Sequence, residues 1–155
     1  LLKNTDNIVG VVKKIINDNK KLSVLANEAK KMQANDLIEK LSSDMIDVNG
    51  FKLILSKVDM DLGVMKNTCF QLIEKYDNVV VALVTNHNNK AILNIALSKE
   101  LVQQKKLNAS QMINKVGAHI NARGGGQPFF AVASGNSMRG VPNIFADITK
   151  IIKDS

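Results

Sequence analysis

The run Val79-Val80-Val81-Ala82-Leu83-Val84 constrains the fold more than any other stretch, because six successive apolar residues leave no polar face. A strand with one side in water alternates apolar and polar residues, whereas a strand covered on both sides reads as a continuous apolar run. The run is therefore a central strand, and helices must lie on both sides of its sheet. Ala91 to Leu97 supplies a partner across Asn86-His87-Asn88-Asn89, a cluster of turn formers, which places a hairpin inside the covered sheet.

The remaining elements are arranged around that hairpin. At Val48-Asn49-Gly50 the apolar period changes from helical to alternating, with Phe51, Leu53 and Leu55 on one side, which signals a strand behind a turn. From Met60 to Tyr76 the spacing of Leu62, Met65, Cys69, Leu72 and Ile73 is helical again, so Cys69 reads as a small buried hydrophobe. Ser98 is placed to cap a short helix, and Asn108 with Gln111 resembles a capping box opening a second helix that buries Met112, Ile113, Val116 and Ile120. That helix stops at Arg123-Gly124-Gly125-Gly126. Phe129 to Ala133 reads as a strand, Ser134-Gly135 as a turn, and Pro142 as a first-turn residue of a closing helix with Ile144, Phe145, Ile148, Ile151 and Ile152 on its inner face. The expected class is α/β (α+β): a mixed sheet of about four strands covered by helices.

Ahead of this module the period is a heptad. Ile8, Ile15, Leu22 and Ala29 recur every seven residues, and Val11, Asp18, Leu25 and Met32 form a second series interrupted by the aspartate. Val12, Ile16, Leu37, Ile38 and Leu41 widen the stripe, which suits either a partner chain or the helix's own domain. The expected division is a helical arm and dimerisation segment over 1–47 and a globular domain over 48–155, with Ile8, Val11, Ile15, Leu22, Leu25 and Met32 as the oligomerisation residues.

Composition narrows what these elements can do. Of 155 residues 45% are apolar but only 4% aromatic, so the core is aliphatic and deep aromatic pockets are not expected. No apolar run approaches the roughly 18 residues of a membrane span, and the sequence opens Leu1-Leu2-Lys3 without a signal peptide, which reads as a soluble, cytoplasmic fragment of something longer. One cysteine makes neither an internal disulfide nor a thiolate zinc site. The net charge of +7 is uneven: residues 90–155 hold nine Lys and Arg against three acids, while residues 1–49 hold eight lysines against seven. A positive last third suits a polyanion, since each neutralised phosphate releases condensed counterion, although solvated lysines also serve solubility.

Gly124-Gly125-Gly126 is the most unusual local feature, for three residues without Cβ leave amides free to approach a ligand. It is not a P-loop, having no Gly-Lys-Ser/Thr ending and no helix starting from it. The competing reading is a flexible connection between helix and strand. No catalytic constellation accompanies it. His87 falls in a hairpin tip and His119 at a helix end, neither with a second ligand at metal spacing, and Ser98 and Ser134 have no identifiable base. The residues alone describe a binding module with no catalytic group, no metal and no cofactor.

Several motifs occur in a telling order: Leu1-Leu2-Lys3 ahead of a charged helix, Val48-Asn49-Gly50 before a strand, Val80 to Val84 before a hairpin, Ser98-Lys99-Glu100-Leu101-Val102, then Ala122-Arg123-Gly124-Gly125-Gly126-Gln127-Pro128. Together they resemble the C-terminal end of alanyl-tRNA synthetases, the C-Ala or DHHA1-type domain, over nearly the whole chain. The resemblance implies a non-catalytic module that docks the outer corner of tRNA(Ala), assists dimerisation through the helical arm, and couples aminoacylation with editing. Gln127 stands where that family usually has an Arg, Phe129 where it has an acid, and Ser134-Gly135 where it has paired glycines. Loss of the Arg removes a bidentate phosphate donor. Lys99, Lys105, Lys106, Arg123 and Arg139 are then the expected tRNA-binding charges, beside Gly124, Gly125, Gly126 and Gln127.

Two other readings are the substrate-binding half of a DHH-type phosphoesterase and a purely structural oligomerisation module. The first lacks its metal-binding Asp-His-His portion, and Gln127 replaces the His that follows its glycines. The second separates from RNA binding by salt, because phosphate contacts weaken steeply with ionic strength and an apolar helical interface does not.

Overall fold

A computed structural model describes residues 2–104 and 107–154, with side chains except at 2–8, 30, 31 and 34. The chain forms two compact units that divide between Leu37 and Ile38, ten residues before the boundary expected at 47/48. The reason lies in the last turns of α1 (Leu2–Ser43), where Ile38 and Leu41 are buried in the second unit. Earlier along α1 the apolar residues of the heptad pattern are exposed, Leu22 at 62% and Met32 at 69%.

The second unit is built on a sheet that has, among the described residues, six strands in the order β1-β2-β3-β4-β6-β5. They are β1 (Ile46–Val48), β2 (Phe51–Lys57), β3 (Val79–His87), β4 (Lys90–Leu97), β5 (Arg123–Gln127) and β6 (Phe130–Gly135). The two beyond the expected four are both edge strands. β1 is short and turns back on β2 through Asn49 and Gly50, whose φ angles of 55° and 84° match a primed hairpin turn. β5 is the glycine run itself, antiparallel to β6, and so not a flexible connection.

β2 runs parallel to β3 through α2 (Leu62–Lys75), and every other pairing is antiparallel. All residues of β3 from Val79 to Thr85 are buried, as the unbroken apolar run requires. On one face Leu53, Val80, Ala82, Leu93, Ile95 and Ala131 join residues of α3 (Lys99–Gln103), α4 (Ala109–Val116) and α5 (Val141–Lys153) in the main core. By the alternation of strand side chains, Ile54, Val81 and Leu83 face the other way. There α2 packs on β3 and β4 and buries Met65, Cys69 and Leu72.

Local signals are mostly used as the sequence suggests. Asn108 accepts a hydrogen bond from the Gln111 amide at 3.2 Å, and Pro142 sits in the first turn of α5. Ser98 differs: its hydroxyl does not cap α3 but accepts from the Val79 amide at 3.2 Å, tying the end of β4 to the start of β3. Asn49 Nδ2 donates to the Lys153 carbonyl at 3.2 Å, which fastens the β1–β2 turn to the last turn of α5.

Candidate nucleic-acid interface

The sheet is covered unequally. On β6 burial alternates strictly: Ala131, Ala133 and Gly135 are buried on the α4 side, while Val132 and Ser134 are exposed and Phe130 is half-buried on the α2 side. Register carries the same face onto the edge strand, pairing Ser134 with Arg123, Val132 with Gly125 and Phe130 with Gln127. Arg123, Gly125 and Gln127 are all exposed. Where β6 and β5 extend the sheet, its α2 side is therefore an open shelf, about 13 Å long at about 3.3 Å per residue.

The glycines of β5 serve different ends. A Cβ on Gly124 would lie 2.6 Å from that of Ala133, and one on Gly126 would lie 2.7 Å from the Cα of Ala131. Both positions belong to the α4 side, where the strand comes too close to β6 to admit a side chain. At Gly125 an added Cβ meets nothing within 4 Å. Its bareness is not demanded by packing, and it keeps the middle of the shelf flat. As an edge strand, β5 also turns alternate amides away from the sheet, where they can donate to an oxyanion.

The expected charges fall at the two ends of this strand. Arg123 begins β5, and exposed Arg139 lies in the β6–α5 loop beyond Asn136. That loop is joined to the turn before β5 by the Asn136 amide donating to the Ile120 carbonyl at 3.1 Å, and by Asn121 Nδ2 donating to Asn136 Oδ1 at 3.2 Å. Lys99 lies toward the opposite end, beside the Pro128–Phe129 turn. The Leu97 amide donates to the Phe129 carbonyl and the Ala109 amide to the Pro128 carbonyl, both at 2.8 Å. Lys105 and Lys106 lie outside the described residues.

A low aromatic content argues against deep aromatic pockets, yet three of the five phenylalanines converge at the Lys99 end. The Phe70 ring lies 5.0 Å from that of Phe130 and 6.3 Å from that of Phe129 between centroids. Lys66 Nζ stands 5.9 Å above Phe70 and 5.8 Å above Phe130, a cation–π arrangement that fixes a positive charge at the shelf's rim. Next to Phe129 opens a cavity of about 600 Å³ bounded by α2, α3 and the β5–β6 turn. The signals in sequence were faint: Lys66 and Phe70 one helical turn apart, and a Phe-Ala-Val-Ala-Ser alternation on β6.

Other polar groups behave differently from expectation or stand apart. His119 gains a carboxylate that its sequence neighbours did not offer, Nε2 lying 2.5 Å from Asp147 Oδ2, with both side chains partly exposed. Among the described residues no group of three His, Cys, Asp or Glu could hold a metal ion, and no helix is long and apolar enough to cross a membrane. The buried thiol of Cys69 is pushed up to about 12 by desolvation, so it is protonated and unreactive at neutral pH. Asn94, on β4 in one row with Val132 and Gly125, is buried with its Oδ1 unpaired among the described residues.

A family model described as the DHHA1 domain matches residues 49–154. The alanine–tRNA ligase of Christiangramia forsetii is 34% identical over 152 residues, covering 98% of this chain and 18% of that protein. That of Flavobacterium psychrophilum is 29% identical over 153 residues, covering 99% of this chain and 17% of its own length. The chain thus spans less than a fifth of these curated relatives. Among solved structures, the C-Ala domain from Aquifex aeolicus alanyl-tRNA synthetase matches with a TM-score of 0.65 at 23% identity, over 70% of this chain and 97% of that one, a likeness of fold.

Proposed function

The chain belongs to the DHHA1 domain family, and we propose that it acts as the non-catalytic C-terminal part of a cytoplasmic alanine–tRNA ligase. In this reading it binds the outer corner of tRNA(Ala) across the shelf of β5 and β6 and pairs subunits through α1, without a cofactor. By holding the tRNA it helps couple aminoacylation with editing in the rest of the enzyme. One observation carries the reading: a sheet covered on both sides along β3 is open on one side at Val132 and Ser134 of β6 and at Arg123, Gly125 and Gln127 of β5, with Arg123 at one end and Lys66 and Lys99 toward the other. Alternate edge amides and the arginine guanidinium supply phosphate donors, and such contacts position RNA without reading its sequence. Identity is then read elsewhere in the enzyme.

Support for pairing is the exposed apolar face of α1, where Val11 is 53% and Ile15 54% exposed and Leu25 60%. Leu22 and Met32 extend it, and Ile8 lies outside the described side chains. Burial of one such side chain is worth about 1.5–3 kcal/mol, so a seam of this length is enough to hold a second copy.

The test is a titration of the 155-residue chain with tRNA(Ala) and a non-cognate tRNA at low and moderate salt, followed by anisotropy, with the mass of the free chain measured alongside. Binding to both tRNAs that weakens with salt is expected, and Arg123→Glu should lower affinity and flatten the salt dependence. A stable dimer that binds neither tRNA would make the chain a structural oligomerisation module instead.

A further inference from the structure

We propose that the cavity beside Phe129 receives an unpaired nucleobase of the bound RNA, stacked on the Phe129 ring and held at its edge by carboxylates; this rests on the reading of the neighbouring shelf as an RNA surface and names which part of the RNA is gripped. Phe129 is 40% exposed, unusual for so large an apolar ring. It is not loosely held. Its own carbonyl and that of Pro128 accept hydrogen bonds from Leu97 and Ala109, and its ring leans on Phe70 at an interplanar angle of 46°. The ring is thus presented to the cavity on a fixed backbone, as a stacking platform must be.

The walls select the ligand. Phe70, Ile73, Leu97 and Val102 make them apolar, while Glu74, Asp77 and Glu100 supply carboxylates against the single ammonium of Lys99. Three negative groups and one positive exclude phosphate as the occupant. A flat, uncharged ring with amino groups at its edge fits: it stacks on Phe129, and its exocyclic amine donates to a carboxylate, as cytosine N4 does to Glu or Asp. Guanine, adenine and cytosine carry such an amine and uracil does not. A cationic peptide would also suit the carboxylates, but the cavity adjoins the shelf at Phe129, two residues past β5, where Arg123 and the glycine amides offer phosphate donors for the same strand of RNA.

The test compares the wild-type chain with Phe129→Leu and Phe129→Tyr, titrating each with fluorescein-labelled tRNA(Ala) at two salt concentrations and checking by thermal unfolding that each variant folds. Phe129→Leu keeps an apolar side chain but no ring, and should weaken binding by about five- to a hundredfold with an unchanged salt slope, because a base–aromatic stack is lost and no phosphate contact is. Phe129→Tyr should restore most of the affinity. Equal binding by wild type and Phe129→Leu overturns the base pocket and leaves the RNA-binding shelf intact. No binding by the wild-type chain overturns the shelf and the pocket together. Phe129-dependent binding of labelled octa-arginine, with RNA affinity unchanged by Phe129→Leu, assigns the cavity to a protein ligand and overturns the proposal.

Discussion

The sheet has two halves that obey different rules. Along β2, β3 and β4 both faces are covered, side chains are bulky and aliphatic, and Leu53, Ile54, Leu83, Leu93 and Ile95 are fully buried. Along β6 and β5 the α4 side carries only alanine and glycine, while on the other side Val132, Ser134, Arg123, Gly125 and Gln127 are exposed and Phe130 is half-covered by Phe70 and Lys66. The first half holds the molecule together through burial. The second is held by its neighbours, and its small residues let a backbone edge and a flat surface reach solvent. Stability and binding are thereby separated along one sheet.

Substitutions should break that separation in a graded way. The largest effect is expected from Leu83→Ala, which empties a fully buried site in the covered half; denaturant unfolding should show a loss of about 2–5 kcal/mol, with RNA affinity unchanged in the molecules that remain folded. Next come two glycines in the open half. Gly126→Ala forces a methyl against the backbone of β6 and should cost about 1–3 kcal/mol, whereas Gly125→Ala meets open space and should leave thermal stability within error of wild type. Equal losses at the two positions would mean that the strand is packed on both sides.

The smallest effect probes the seal under α2. Burial raises the Cys69 thiol from its ordinary 9.0 to about 12 in the folded chain, so between those values the unfolded chain sheds a proton that the folded chain keeps. The thiol's contribution to stability is then constant below about pH 9 and falls as pH rises above it, by on the order of 1 kcal/mol at pH 10. Cys69→Ala should remove that slope, and a thiol reagent at neutral pH should label the wild-type chain only under denaturing conditions. Rapid labelling of the folded chain would show that the covered half is less closed than its burial implies.

How much of this was legible follows from which forces act through sequence. The Val79–Val84 strand could be read because two-sided burial leaves its mark on every residue, and α4 because Asn108 caps it with its own side chain. β5 could not, since glycine has no strand preference and its conformation is imposed by pairing with β6. The charges at Lys99, Arg123 and Arg139 were named with the resemblance, in place of the missing Arg, but only the fold distributes them to two ends of one strand. The phenylalanine cluster was hidden for another reason: Phe70 meets Phe129 and Phe130 only after α2 and the β5–β6 turn are brought side by side. Ser98 shows that a good helix cap in sequence yields to a buried amide needing an acceptor.

The hydrogen bond from Asn49 to the Lys153 carbonyl also sets a schedule for the ribosome. The two residues are 104 positions apart, and at about 5–20 residues per second the first waits roughly 5–20 s for the second to be made. Throughout that interval β1 and β2 lack α5, so the side of the core that Ile144 and Ile148 seal stays open while the chain grows. The strand made first is finished last, and a nascent chain stalled before its closing helix still exposes the apolar residues that α5 covers.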